Sequence, residues 1–97
     1  MIIHKPSIDI FMGKSDNVKL CFNKEIAHLI QQTVFHHSQR ISILEDGCAE
    51  IELDVGTGVG LAYWILSFGS MVVVKQPAQL AKAVEQLAKE TASRYSD

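Results

Sequence analysis

The sequence predicts an α+β domain of the ferredoxin-like type, with a four-stranded antiparallel sheet, two helices on one face and a further helix at the C-terminus. Three observations predict it. Alternating apolar and polar residues mark strands, apolar residues at helical spacing mark helices, and these segments follow one another in the order βαββαβ. The 97 residues are 47% apolar, which suits one small domain. We assign residues 1–16 to a lead-in segment and residues 17–97 to the domain.

The first third of the chain predicts a strand followed by a helix. The run that ends at Phe22 alternates between apolar and polar residues, so Val18, Leu20 and Phe22 share one face of a half-buried strand. Asn23 follows, and we expect its side-chain oxygen to cap a helix over residues 24–33, whose apolar positions recur at helical spacing.

Two alternating runs, residues 38–44 and 48–55, predict a hairpin. A two-residue loop would place carboxylates of the second strand on the apolar face. We therefore expect a three-residue loop, Glu45-Asp46-Gly47, with Gly47 in the left-handed conformation at a bulge. The resulting register pairs Arg40 with Glu52, Ile41 with Ile51 and Ile43 with Ala49.

The second half of the chain repeats the pattern of strand and helix. We interpret Gly56 to Gly60 as a flexible connection into a helix over residues 61–68, which Gly69 ends. Residues 71–75 predict the fourth strand, and Pro77 opens a long final helix. One stripe of that helix carries Leu80, Val84, Leu87 and Tyr95.

A ferredoxin-like sheet has one face free of its two helices. On the hairpin half, we expect that open face to be polar, with Arg40, Ser42, Glu50, Glu52 and Asp54. The run from Met71 to Val74 in the fourth strand is apolar at every position, so some of these side chains face outwards. We therefore predict an interface there that the final helix or another protein surface covers. Its candidate residues are Cys21, Met71 and Val73.

Composition and charge exclude several classes of function. Nine Lys and Arg against eleven Asp and Glu give a net charge of −2. The chain therefore lacks the excess of basic residues that binding to the phosphate backbone of a nucleic acid demands. The longest apolar stretch, residues 59–74, is too short and too interrupted to cross a bilayer. The N-terminus shows no secretory signal. We expect a cytoplasmic protein without direct contact to DNA or membrane.

No pattern indicates catalysis, a metal or a cofactor, and we assign no residue to any of them. Cys21 and Cys48 lack zinc-site spacing, and adjacent His36 and His37 cannot face one metal from an extended segment. The Gly56 to Gly60 stretch departs from the dinucleotide-binding fingerprint at its third glycine. Acylphosphatases share the size and plan, but their phosphate loop with its arginine has no counterpart.

Several short segments carry a family resemblance: Phe35 to Arg40, the Asp46-Gly47 turn, Trp64 to Gly69, and Val72-Val73-Val74 followed by Pro77 and Leu80. Together they resemble the C-terminal extension of WYL-domain transcriptional regulators, over roughly residues 17–95. That family has an aromatic-His-Pro-Ser-Gln segment, in which His37 stands here for the proline. It also has a Trp-hydrophobic-Leu-Ser-Phe-Gly helix end. The family usually has polar residues at the position of Gly56 to Gly60, and this glycine-rich stretch is more flexible than those residues.

The resemblance implies a non-catalytic, ferredoxin-like module that follows a WYL domain in bacterial regulators that begin with a winged helix-turn-helix. Such modules are associated with dimerisation and effector sensing. The implied partners are a second copy, as a homodimer, and the other domains of the regulator. Neither the Trp-Tyr-Leu motif nor a helix-turn-helix is present in the sequence, so DNA contact is expected only through those domains.

One polar segment is a candidate for ligand or interdomain contact, at the entrance to the second strand. Its residues are His36, Ser38, Gln39 and Arg40. An alternative function is a small-molecule or nucleotide sensor with these four side chains lining the site, and an acylphosphatase-like hydrolase is the third.

Overall fold

The computed structural model describes residue 11 and residues 13–96. Most of the predicted lead-in segment therefore lies outside the described residues. The strands are β1 (Ser15–Phe22), β2 (Arg40–Ile43), β3 (Ala49–Gly56) and β4 (Val72–Gln76). The helices are α1 (Ala27–Gln31), α2 (Val59–Leu66) and α3 (Ala78–Ser93), with 3-10 turns at Lys24–Ile26 and Gly69–Met71.

The four strands form one antiparallel sheet in the order β2-β3-β1-β4. This order puts the hairpin beside β1 and leaves β2 and β4 at the two edges. The arrangement confirms the α+β class and agrees with a ferredoxin-like sandwich.

The β2–β3 hairpin has the predicted register. Ile41 faces Ile51, Ile43 faces Ala49 and Arg40 faces Glu52. The Leu44 N–H donates to the Cys48 carbonyl at 2.9 Å, and the Gly47 N–H donates to the Leu44 carbonyl at 2.9 Å. Gly47 has a φ of 90°, which a residue with a Cβ rarely adopts. The rule that apolar side chains share a face therefore decided correctly between the two-residue and the three-residue loop.

The core lies between the inner face of the sheet and the helices. Val18, Leu20 and Phe22 are fully buried, which confirms the predicted apolar face of β1. Their neighbours on β3 and α2 are equally buried. The largest fully buried side chains are Phe22, Leu20, Ile30, Ile51, Leu53, Leu61, Ile65 and Val18.

The first helix is shorter than predicted, and its predicted cap is wrong. Instead of one helix over residues 24–33, a 3-10 turn precedes the short α1. The Asn23 side chain makes no cap hydrogen bond and instead donates to Met71 Sδ at 3.6 Å. The Asn23 carbonyl accepts the Ile26 N–H at 3.1 Å, and this short-range bond tightens the first turn.

Other element ends also differ from the predictions. α2 begins and ends two residues before its predicted bounds, and Gly69, with a φ of 60°, starts a 3-10 turn. Gly56 is the last residue of β3 and pairs with Ser15, while the Thr57 N–H donates to the Lys14 carbonyl at 3.2 Å. The expected flexible connection is therefore partly a paired strand end. Tyr95 lies beyond α3 and is 89% exposed, so its place in the apolar stripe was wrong.

Helix α3 lies in the same layer as α2 and does not cover the open face of the sheet. It contacts α2 and β4. Leu80 is part of the buried core, and Val84 and Leu87 pack against that core. Of the two coverings considered for the outer face, α3 is therefore excluded.

Candidate functional site

The segment before β2 is held in place by the side chain of Gln39. Its Oε1 accepts the Phe35 N–H at 2.7 Å, and its Nε2 donates to the Thr33 carbonyl at 2.8 Å. Both ends of the amide are thus bonded to backbone that has left α1 and has not yet entered β2. Gln39 replaces the ladder bonds that this irregular segment lacks.

Ser38 and His36 fasten the same segment to β3. The Asp54 N–H donates to Ser38 Oγ at 2.9 Å. His36 Nδ1 lies 2.8 Å from Ser38 Oγ and accepts the Ser38 N–H at 3.1 Å. Ser38 and His36 therefore form a local turn, in which the imidazole nitrogen near the serine is an acceptor.

Arg40 lies on the outer face between two carboxylates of β3. Its guanidinium is 3.1 Å from Glu52 Oε2 and 3.3 Å from Asp54 Oδ2. Asn17 Nδ2 donates to the same two carboxylates, at 2.9 Å each. Hydrogen bonds from Arg40 and Asn17 lower the pKa of Glu52, and those from Asn17 and Arg40 lower the pKa of Asp54. This network is the predicted polar half of the open face.

An aromatic cluster explains why the motifs that carry the family resemblance occur together. Phe35 lies 5.0 Å from Trp64 between ring centroids, and Trp64 lies 5.3 Å from Phe68, both in edge-to-face geometry. Phe68 meets Phe22 of β1 at 5.1 Å. The segment before β2 and the end of α2 are therefore one packing unit, worth about 0.5–1.5 kcal/mol per pair beyond the buried area.

The three predicted interface residues come together at the β4 side of the open face. Cys21 of β1 pairs with Val73 of β4. Two residues further along the chain, the Asn23 N–H donates to the Met71 carbonyl at 2.8 Å, which places Met71 next to this pair. Val73 is 57% exposed, whereas Cys21 and Met71 are half-buried. We call Cys21, Met71 and Val73 the outer patch.

Cys48 lies beside the outer patch but does not have the surroundings of a reactive thiol. Both cysteines are free. Burial raises the pKa of Cys48, and its hydrogen bond to the Asp46 carboxylate raises it further. A raised pKa keeps the group as a thiol, which is the less nucleophilic form.

A groove of about 400 Å³ lies between the first turn of α2 and one side of α3. Its apolar lining comes from Val59 and Ala62 of α2 and from Leu80, Ala83 and Leu87 of α3. Gln79, Gln86 and Glu90 of α3 add polar groups to the lining. Sequence reasoning missed this groove, although the small residues Ala62 and Ala83 on two facing helices were a usable signal.

The described residues hold neither a metal-binding cluster nor a membrane-spanning helix. No group of three or more His, Cys, Asp or Glu side chains is placed to hold a metal ion. No helix in the described part of the chain has the length and apolar character needed to span a bilayer.

The motif segments, the sheet order and the aromatic cluster agree with one family. The model of the WCX domain matches residues 15–92. The chain belongs to the WCX domain family. A WCX domain is the C-terminal extension of WYL-domain transcriptional regulators. No curated protein is a significant match to the chain. The resemblance inferred from the sequence is thereby confirmed, and this WCX domain belongs to a regulatory family.

The structure brings together both sets of candidate residues, but it uses them differently. His36, Ser38, Gln39 and Arg40 are neighbours, and each has a hydrogen-bond partner within the domain. The residues of the outer patch lie together on a surface that no helix of the described part of the chain covers. Asn17 was missed by sequence reasoning. Asn17 directly precedes Val18, which faces inwards, so the alternation of side chains along a strand places Asn17 on the outward face of β1. This alternation was the sequence signal that could have identified it.

Proposed function

We propose that this WCX domain is a non-catalytic regulatory module that supports homodimerisation and effector response in a cytoplasmic WYL-type regulator. Its partners are a second copy and the other domains of the regulator, and contact with DNA belongs to those domains. The outer patch meets protein. His36, Ser38 and Gln39 before β2, together with Arg40 at its start, shape that end of the sheet and are candidates for interdomain or ligand contact.

The outer patch is the observation that carries the proposal. A valine exposed to 57% lies on the edge strand β4, on the sheet face that α3 leaves open. Its neighbours Cys21 and Met71 are weakly polar, whereas the hairpin half of the same face is occupied by Arg40 and its carboxylate partners. An apolar patch beside a satisfied polar network is typical of a protein contact surface.

Sedimentation of the isolated domain and of a Val73→Lys variant tests the proposal. We expect wild type to associate as its concentration rises. If Val73→Lys abolishes association without loss of stability, the outer patch joins the two copies. If the variant still associates, the patch faces another domain of the regulator. A wild-type chain that stays monomeric at every concentration would show that homodimerisation is wrong. Lys75→Glu, on the same strand, is the matched control for a change of charge.

A second function, small-molecule sensing, is favoured by the groove between α2 and α3. Its volume of about 400 Å³ is in the range of sites for small ligands, which are about 300–1,000 Å³. Nucleotides and short single-stranded DNA are the panel for a thermal-shift screen, because a ligand of the native state raises the melting temperature. Ala83→Trp fills the groove, and Ala92→Trp is its control on exposed α3 surface. If a compound raises the melting temperature of wild type and of Ala92→Trp but not of Ala83→Trp, it binds in the groove. If no compound raises the melting temperature of wild type, the domain does not sense the compounds tested.

A further inference from the structure

The outer edge of β2 is unpaired among the described residues. β2 is the terminal strand of the sheet, with β3 as its neighbour. A terminal strand presents backbone N–H and C=O groups that another strand can pair. Charged side chains often protect such edges, but the one charged residue of β2, Arg40, is bonded to Glu52 and Asp54 on the β3 side.

The register identifies which backbone groups face this edge. Leu44 and Cys48 form a hydrogen-bonded pair at the end of the hairpin. Hydrogen-bonded pairs alternate along an antiparallel ladder, so the Ser42 pair with Glu50 is also hydrogen-bonded. Ile41 and Ile43 occupy the positions between, and their N–H and C=O groups therefore point to the open edge.

We infer that a second copy of this chain pairs with the outer edge of β2, strand β2 against strand β2, in antiparallel register about an axis at Ser42. Ile41 then faces Ile43 of the second copy, and Ile43 faces Ile41. Each of these two pairs exchanges both of its backbone hydrogen bonds. The two sheets become one continuous sheet.

Side chains favour this register over its neighbours. Ile43 is 48% exposed on the helix side of the sheet although the adjacent Ala49 is fully buried. The pairing sets this side chain beside Ile41 of the second copy. On the opposite face, Ser42 comes opposite Ser42 of the second copy and Arg40 comes opposite Leu44, so no like charges lie directly opposite each other. A shift by one residue would mix the two faces, and a shift that pairs Ile41 with itself would set Ile43 against Gln39, outside β2.

This inference rests on the homodimer of the proposed function and specifies its geometry. The second copy occupies the β2 edge, and the outer patch is left for the other domains of the regulator. A strand pair of this length is small beside the roughly 1,200 Å² that stable interfaces bury. The isolated domain is therefore expected to associate only at high concentration.

Amide hydrogen exchange followed by NMR tests the pairing on the unmodified chain. At low concentration, the Ile41 and Ile43 amides are expected to exchange rapidly while the Ser42 amide, bonded to β3, is protected. At high concentration, Ile41 and Ile43 become protected and Ser42 changes little. Unchanged exchange at Ile41 and Ile43 in a chain that sediments as a dimer would overturn the inference. Protection of both amides already in the dilute monomer would overturn it as well.

Two lysine substitutions separate this inference from the proposed function. Ile43→Lys and Val73→Lys each place a charge at a partly exposed aliphatic position of an edge strand. We expect Ile43→Lys to abolish association and Val73→Lys to leave it intact, with both variants folded by circular dichroism. The reverse pattern would refute the β2 edge and keep the homodimer. Wild type that never associates would refute both.

Discussion

The segment before β2 and the outer patch differ in how many of their groups already have partners. The polar residues Ser38 and Gln39 bond the backbone of their own domain, at distances of 2.7–2.9 Å. Val73 of the outer patch, in contrast, leaves more than half of its surface in water. The difference teaches that polar residues at the entrance to a strand are used first to hold an irregular backbone. Apolar residues on an uncovered face are the stronger indication of a contact surface.

The largest effect that tests this contrast is expected from Gln39→Ala. The substitution leaves the Phe35 N–H and the Thr33 carbonyl without their side-chain partner. We expect the free energy of unfolding to fall by about 1–3 kcal/mol, measured by urea denaturation. Gln32→Ala, at an exposed glutamine nearby, should stay within about 0.5 kcal/mol of wild type. Equal stability of the two variants would mean that Gln39 is free for a ligand.

Two neighbouring valines allow the contrast to be measured within one strand. Val72 packs against the core, whereas Val73 belongs to the outer patch. We expect Val72→Ala to lower the free energy of unfolding by about 1–2 kcal/mol, because buried methyl groups are lost. Val73→Ala should change it by less than about 0.5 kcal/mol. A large cost at Val73 in the monomer would show that the outer patch is covered within the domain.

The smallest effect concerns Arg40 and its two carboxylates. Glu52 and Asp54 have lowered pKa values in the folded chain, so their contribution is present above the unfolded-state pKa values and is lost as pH falls through the folded-state values. The stability difference between wild type and Arg40→Ala should therefore be positive at neutral pH and shrink in acid. Denaturant midpoints measured across the acid range check this. A difference that persists in strong acid would assign the effect of Arg40 to packing instead, and Lys82→Ala serves as the control without an ion pair.

Much of the fold followed from the facing of side chains. The hairpin loop and its register were predictable because a two-residue loop would have placed Glu50 and Glu52 opposite the isoleucines of the apolar face, whereas the three-residue loop pairs Ile41 with Ile51. The polar half of the open face followed from the same alternation. These features depend on neighbours in sequence and on a period of two, which are visible without coordinates.

The remaining features depend on contacts between distant residues. The cap at Asn23 failed because Met71, far along the chain, draws its side chain to the outer face. The position of α3 beside α2 and the groove between them depend on how two helices pack. The role of Gln39 was hidden because its partners are backbone groups, and any sequence offers those.

Alkylation of Cys21 in a Cys48→Ser background, compared between the isolated domain and the intact regulator that carries it, tests directly whether the outer patch meets protein. Cys21 lies opposite Val73, so its rate of alkylation measures whether another protein surface covers the outer patch. We predict rapid modification in the isolated domain and strong protection in the regulator. Equal rates in both would contradict the assignment of the outer patch as a contact surface.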